Sequence, residues 1–170
     1  MASVLALLII ICLVSAAWRD LAVRRIPNVF SYAIAVAGVC LRAFDGLTAL
    51  GGSVAAASAL FAVLFLLFAR GLLGGGDVKL ATAVALGLPP EAVWTFVVLT
   101  ALAGGILSGF YLAAFRLGLR PLRPAGRRRG VLRRVAAAEV WRLRRRGPLP
   151  YGIALCASGV GLTASGHLWG

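Results

Sequence analysis

The sequence predicts an all-α, polytopic membrane protein of about six transmembrane helices, and three observations carry that prediction. Of its 170 residues, 61% are hydrophobic, well above the half or so typical of a soluble domain. The surplus exceeds what a core of this size can hide, so much of it must face lipid. The apolar residues gather into six segments, at about 2–18, 29–44, 48–69, 72–88, 91–115 and 150–168, each approaching the ~20 residues that a spanning helix needs. The 18 basic residues cluster between these segments, against only five acidic ones, for a formal charge of +13.

The first segment has no Lys or Arg ahead of it, whereas Arg19, Arg24 and Arg25 follow it. A cleaved signal peptide has the reverse polarity, so residues 2–18 read as a retained span with its N-terminus outside. The fourth segment is among the shortest, and Pro89-Pro90 ends it firmly. To cross a bilayer its first turn must draw on the preceding glycines, which sets Asp77 inside the helix entrance. With the N-terminus outside, every basic residue except Arg42 falls on the inner side, the orientation that the positive-inside rule selects. Arg42 lands near the outer side beside Asp45, a natural partner. Asp20 and Asp77 then both lie at the cytoplasmic ends of their helices.

Residues 116–149 form the one substantial polar stretch of what reads as a single membrane-embedded domain over residues 1–170. Arg127-Arg128-Arg129, Arg133-Arg134 and Arg144-Arg145-Arg146 suit a cytoplasmic loop lying on anionic headgroups better than a nucleic-acid interface, given the flanking spans. Leu132, Ala136, Val140 and Leu143 make a row consistent with an interfacial helix. Cys12, Cys40 and Cys156 fall one per segment with no paired spacing, which fits neither a zinc site nor a disulfide framework. They read as small buried hydrophobes, and no metal or other cofactor is expected.

Chemistry concentrates at Gly74-Gly75-Gly76-Asp77 and at Asp20, which precedes Arg24-Arg25-Ile26-Pro27-Asn28. Two carboxylates from different helices at one depth suit peptide hydrolysis: one draws a proton from water while the other, protonated, hydrogen-bonds the scissile carbonyl. Close like charges resist joint ionisation, so such a pair titrates as a unit. Gly74, Gly75 and Gly76 let a backbone or substrate approach closely and permit positive φ. The plainer alternatives are an Asp77 that caps a helix, an Asp20 solvated beside Arg24, an Asn28 that caps a turn and a Lys79 that snorkels to the headgroups. His167 stands alone near the predicted outer end, and no Ser/His pair shares a depth, against a serine protease.

These residues also carry a family resemblance. Gly74-x-Gly76-Asp77 resembles the G-x-G-D motif of intramembrane aspartic proteases, and Asp20 with Arg25-Ile26-Pro27-Asn28 resembles the first-aspartate region of type IV prepilin peptidases. Lys79 fits the extended G-x-G-D-x-K pattern, and Pro150-Tyr151-Gly152 resembles the motif that opens the last helix of that family. The likeness covers nearly the whole chain and is nearest to the short peptidases of tight-adherence (Flp-type) pilus systems. It implies Asp20 and Asp77 as catalytic residues, and Gly74, Gly76, Lys79, Arg25, Pro27 and Asn28 as motif or substrate-positioning residues. It further implies an enzyme of the inner (cytoplasmic) membrane that cleaves the leader of prepilins and pseudopilins at the cytoplasmic face. Long members carry an N-terminal region with paired C-x-x-C motifs and also methylate the new N-terminus; neither that region, its zinc nor methylation is expected here. Two other classes remain open: a small transporter or proton/cation relay using intramembrane aspartates, and a non-catalytic scaffold recruiting partners through the basic loop.

Overall fold

A computed structural model describes residues 2–23, 27–116 and 151–164. Among these residues the chain is entirely helical between turns: α1 (Ala2–Val23), α2 (Asn28–Phe44), α3 (Leu47–Ala69), α4 (Gly75–Leu86), α5 (Pro90–Arg116) and α6 (Tyr151–Ala164). Arg24, Arg25, Pro150, His167 and the basic stretch after Arg116, with its expected interfacial helix, lie outside the described residues.

Three helices are long and apolar enough to cross a membrane, over Ser3–Ala22, Leu47–Ala69 and Pro90–Phe110, and they establish a polytopic membrane protein. The other apolar helices are shorter: Asn28–Phe44 has 17 residues, Tyr151–Ala164 has 14, and α4 only 12. The fourth segment thus makes less helix than its apolar length suggests, because Leu72 and Leu73 go into the turn after α3 and the helix waits until Gly75.

α4 is the hub. It packs on α2, α3 and α6, while α1 packs on α2 and α6, and α5 on α3 and α6. Val78, Leu80, Ala81, Ala83, Val84 and Ala85 are all buried, so α4 has almost no outer face. Its small residues bring neighbours close: at Gly38 of α2 a methyl group would sit 2.8 Å from Gly87 Cα, so the two backbones touch. By contrast only Ser53 and Ala57 of α3 are buried, and Phe61, Phe65 and Phe68 stay exposed along it. Such a surface is soluble only in hydrocarbon. Two of the cysteines are buried as expected, but Cys40 is exposed on α2, off the face on which Ile34, Ala37 and Leu41 are buried among the described residues.

The end of α4 away from its glycines is closed by polar contacts. The Ser53 hydroxyl donates to the Leu88 carbonyl at 2.8 Å, Arg42 Nε donates to Ser53 Oγ at 3.1 Å, and Arg42 Nη1 meets Asp45 Oδ2 at 2.7 Å. The expected Arg42–Asp45 pair is present, and it extends into a chain that satisfies a carbonyl left bare by Pro89-Pro90.

Candidate active site

Asp77 owes its position to the way α4 starts. Gly74 is the N-cap residue, extended at φ −78° and ψ 139°, and its carbonyl accepts the N–H groups of Asp77 at 3.0 Å and Val78 at 3.2 Å. Asp77 is therefore the third helical residue rather than the cap, and its carboxylate reaches back to the Gly74 backbone N–H. That is one half of a capping box, with glycine omitting the other half, and the helix dipole favours the negative charge there. A methyl group at Gly74 would lie 3.0 Å from Asp77 Oδ2.

The expected role of positive φ at these glycines is not what the structure uses. Among the described residues positive φ occurs at Gly46 and at Gly71, which ends α3 at φ 72°. Gly74 gives space for the carboxylate instead. Gly76 is exposed in the first turn, and at Gly75 a methyl group would press on the Phe68 ring at 3.2 Å.

Asp20 lies in the last turn of α1, which continues through it to Val23. It is only 8% exposed, so it is not the solvated loop acid of the plainer alternative. α1 and α4 share α2 and α6 as neighbours, and this arrangement brings the Asp20 and Asp77 carboxylates within electrostatic reach of one another. Cys156 of α6 is buried within reach of both and lies against the backbone of Ala17.

Two further motif residues meet across the helices. Lys79 Nζ donates to Asn28 Oδ1 at 3.3 Å, bridging α4 and the first residue of α2. Asn28 is thus no cap: Pro27 occupies that position, at φ −61° and ψ 136°, with its carbonyl accepting the Phe30 N–H. Lys79, expected to reach either for substrate or for headgroups, has a protein partner.

Asp77 also opens into a cavity of about 180 Å³ between α3, α4, α5 and α6. Sequence reasoning missed the cavity and missed Thr100, whose hydroxyl is buried in its wall without a hydrogen-bond partner among the described residues. The only signal for Thr100 was a polar side chain in an otherwise apolar run. Among the described residues no three His, Cys, Asp or Glu side chains cluster as a metal site.

Helices of spanning length around a short central helix, with two acids brought together from separate elements, define a polytopic membrane protein with a carboxylate-bearing cavity. The chain matches the type IV leader peptidase family over residues 7–109, and it belongs to that family. It is a membrane protease of the leader-peptidase type, acting on prepilin-type substrates. The matched stretch contains Asp20, Pro27, Asn28, Gly74, Gly76, Asp77 and Lys79. Searches of curated proteins and of solved structures returned no match.

Proposed function

We propose that the protein is an aspartic endopeptidase in which Asp20 and Asp77 are the catalytic pair, cleaving the leader of Flp-like prepilins and pseudopilins. The observation that carries this reading is the approach of two carboxylates from α1 and α4, in a chain with five acids in all. One carboxylate, ionised, takes a proton from the attacking water; the other, protonated, donates to the scissile carbonyl and stabilises the tetrahedral intermediate. The proton held by the first then passes to the leaving amine, and no cofactor is required. Gly74 leaves room for the Asp77 carboxylate, and Lys79, Asn28 and Pro27 fix the α2 entrance beside it. Arg25, which precedes Pro27 in the sequence, is assigned to substrate positioning with them.

In this reading the chain is a six-span unit of the inner membrane with its N-terminus outside. The basic stretch lies on anionic headgroups, and the active site is near the cytoplasmic face. The distribution of Lys and Arg supports that orientation. The order of the helices is consistent with both aspartates sharing one side: in an up-and-down arrangement the C-terminal end of α1, the N-terminal end of α2, the C-terminal end of α3 and the N-terminal end of α4 fall together.

The test is co-expression with a prepilin substrate, followed by N-terminal sequencing of the product. Asp20→Asn and Asp77→Asn should each reduce cleavage at least a thousandfold while the protein still inserts and accumulates. Processing at the normal rate by either variant refutes the pair.

A further inference from the structure

Thr100 of α5 breaks the pattern of the other helical hydroxyls. These commonly return to the carbonyl four residues back, as Thr82 does to Val78 at 2.8 Å, Ser158 to Ala154 at 2.9 Å and Thr163 to Gly159 at 2.7 Å. Thr100 does not: its Oγ1 is buried with no hydrogen-bond partner among the described residues. A hydroxyl in that state is unfavourable, and buried polar atoms are commonly met by ordered water. The surroundings narrow where such a water can sit. Leu64 of α3, Phe96 of α5 and Leu155 of α6 line the cavity beside it, and among the described residues only Asp77, Thr100 and Tyr151 bring polar side chains to that wall. The Tyr151 ring packs on Gly104, one turn beyond Thr100, where a methyl group would sit 2.9 Å from Cε1, and so bounds the cavity on that side.

Asp77 and Thr100 are matched along the chain. Asp77 lies ten residues before Gly87, where α4 closes, and Thr100 ten residues after Pro90, where α5 opens. Each therefore stands about 15 Å along its helix from the shared Pro89-Pro90 turn. Their cavity of about 180 Å³ far exceeds the roughly 10–15 Å³ that one water requires. The water also needs at least two polar partners: a carboxylate accepts, and a hydroxyl donates or accepts. Apolar walls strengthen such a link by keeping the local dielectric low.

We propose that Thr100 is a positioning residue for Asp77: its hydroxyl holds one water that hydrogen-bonds the Asp77 carboxyl from the side of α5. The assignment rests on Asp77 being catalytic, as argued above. The Gly74 N–H meets the carboxylate from within α4, and the water adds a second hold from across the cavity. A carboxyl held at two points keeps one orientation, and a displacement of about 1 Å can slow catalysis on the order of a hundredfold. This water is separate from the one consumed in hydrolysis, which the two carboxylates activate; Asp20 does not line the cavity.

The test uses the purified full chain in detergent micelles with a prepilin-derived peptide. Thr100→Val, which keeps the shape and removes the hydroxyl, should lower kcat at least fivefold with KM within twofold of wild type. Thr100→Ser, which keeps the hydroxyl, should stay within twofold in both. The infrared carboxyl absorption of Asp77, identified as the band absent from Asp77→Asn, should move in Thr100→Val and return in Thr100→Ser, in protein without peptide. Thr100→Ala should give the same readings as Thr100→Val and serves if that variant does not fold. Wild-type kcat in folded Thr100→Val overturns the positioning role, above all if its unfolding temperature rises, as removal of an unmet hydroxyl alone would produce. An unmoved band also overturns it, and so does a loss carried by KM alone, which would make Thr100 a substrate contact. Because the band is read without substrate, the two claims separate: cleavage by Asp77→Asn refutes the catalytic pair, whereas an inactive Asp77→Asn beside an unmoved band refutes the role of Thr100 alone.

Discussion

The two ends of α4 are built on opposite terms. At its C-terminal end the backbone of Gly87 touches that of Gly38, and Ser53, Arg42 and Asp45 form a chain that satisfies the Leu88 carbonyl. At its N-terminal end the first turn is exposed at Gly74 and Gly76, a carboxylate opens onto a cavity, and a second carboxylate, that of Asp20, lies within electrostatic reach. The first end gains stability from contacts that leave no space; the second keeps space and brings two acids near each other. A membrane helix with both ends open would have little to hold it in register, so the closed end is what allows the other to carry an acid. The general lesson is that strain at a site is borne where packing elsewhere over-determines the element.

This contrast can be broken from either side. The largest effect is expected at Gly74. A methyl group 3.0 Å from Asp77 Oδ2 forces that carboxylate to turn, so Gly74→Ala should lower kcat roughly tenfold to a hundredfold, the scale of a misplaced catalytic group. Thermal unfolding in micelles should scarcely change. Gly75→Ala serves as its control: the obstacle there is the far end of the exposed Phe68 ring, which can swing aside, and activity should stay within about threefold of wild type. Equal losses at the two positions would mean that the glycines serve only the packing of the helix.

Gly38→Ala reverses the pattern. Its methyl group would meet backbone, 2.8 Å from both Cα and N of Gly87, and backbone on a packed helix cannot move cheaply. The expected cost is about 1–3 kcal/mol of stability, seen as a lower unfolding temperature. The specific activity of the fraction that remains folded should hold. A severe loss of turnover in fully folded Gly38→Ala would show that the two ends are mechanically coupled.

The smallest effect concerns Ser53→Ala, which deprives the Leu88 carbonyl and Arg42 Nε of a shared partner. About 1–2 kcal/mol of stability should be lost, with cleavage rates unchanged. Stability measured in parallel for Ser53→Ala, Gly38→Ala and the double variant sharpens the comparison further, because contacts within one network should not add.

The helices were readable where chemistry punctuates them. Pro89-Pro90 sets the break between α4 and α5, and the apolar stretches at 29–44, 48–69 and 91–115 agree closely with Asn28–Phe44, Leu47–Ala69 and Pro90–Arg116. The end of α1 was set too early because Arg19 and Asp20 look like the start of a loop; the helix runs on, since Asp20 points inward to a protein neighbourhood rather than to water. Asp20 and Asp77 stood out because an acid in an apolar chain is costly. What the sequence could not disclose is which faces pack. A helix between lipid and protein is apolar on both sides, so the periodicity that marks a buried face in water is absent. For the same reason the Lys79–Asn28 bridge, the Ser53–Leu88 bond and the Thr100 wall of the cavity had no local signature: each depends on segments brought together only by the packing of α4.

The length of α4 bears on a problem of supply. Every peptide bond cleaved consumes one water molecule, and hydrocarbon provides none. A helix of 12 residues is roughly 18 Å long, some way short of the ~30 Å thickness of a hydrocarbon core. Its far end is tied to Gly38 and Ser53, whereas at the glycine end Gly74, Gly76 and Lys79 are open to the surroundings. In the proposed orientation, with that end at the cytoplasmic face, the same truncation gives the Asp77 carboxylate a wet threshold, and the reagent arrives through the doorway proposed for the peptide.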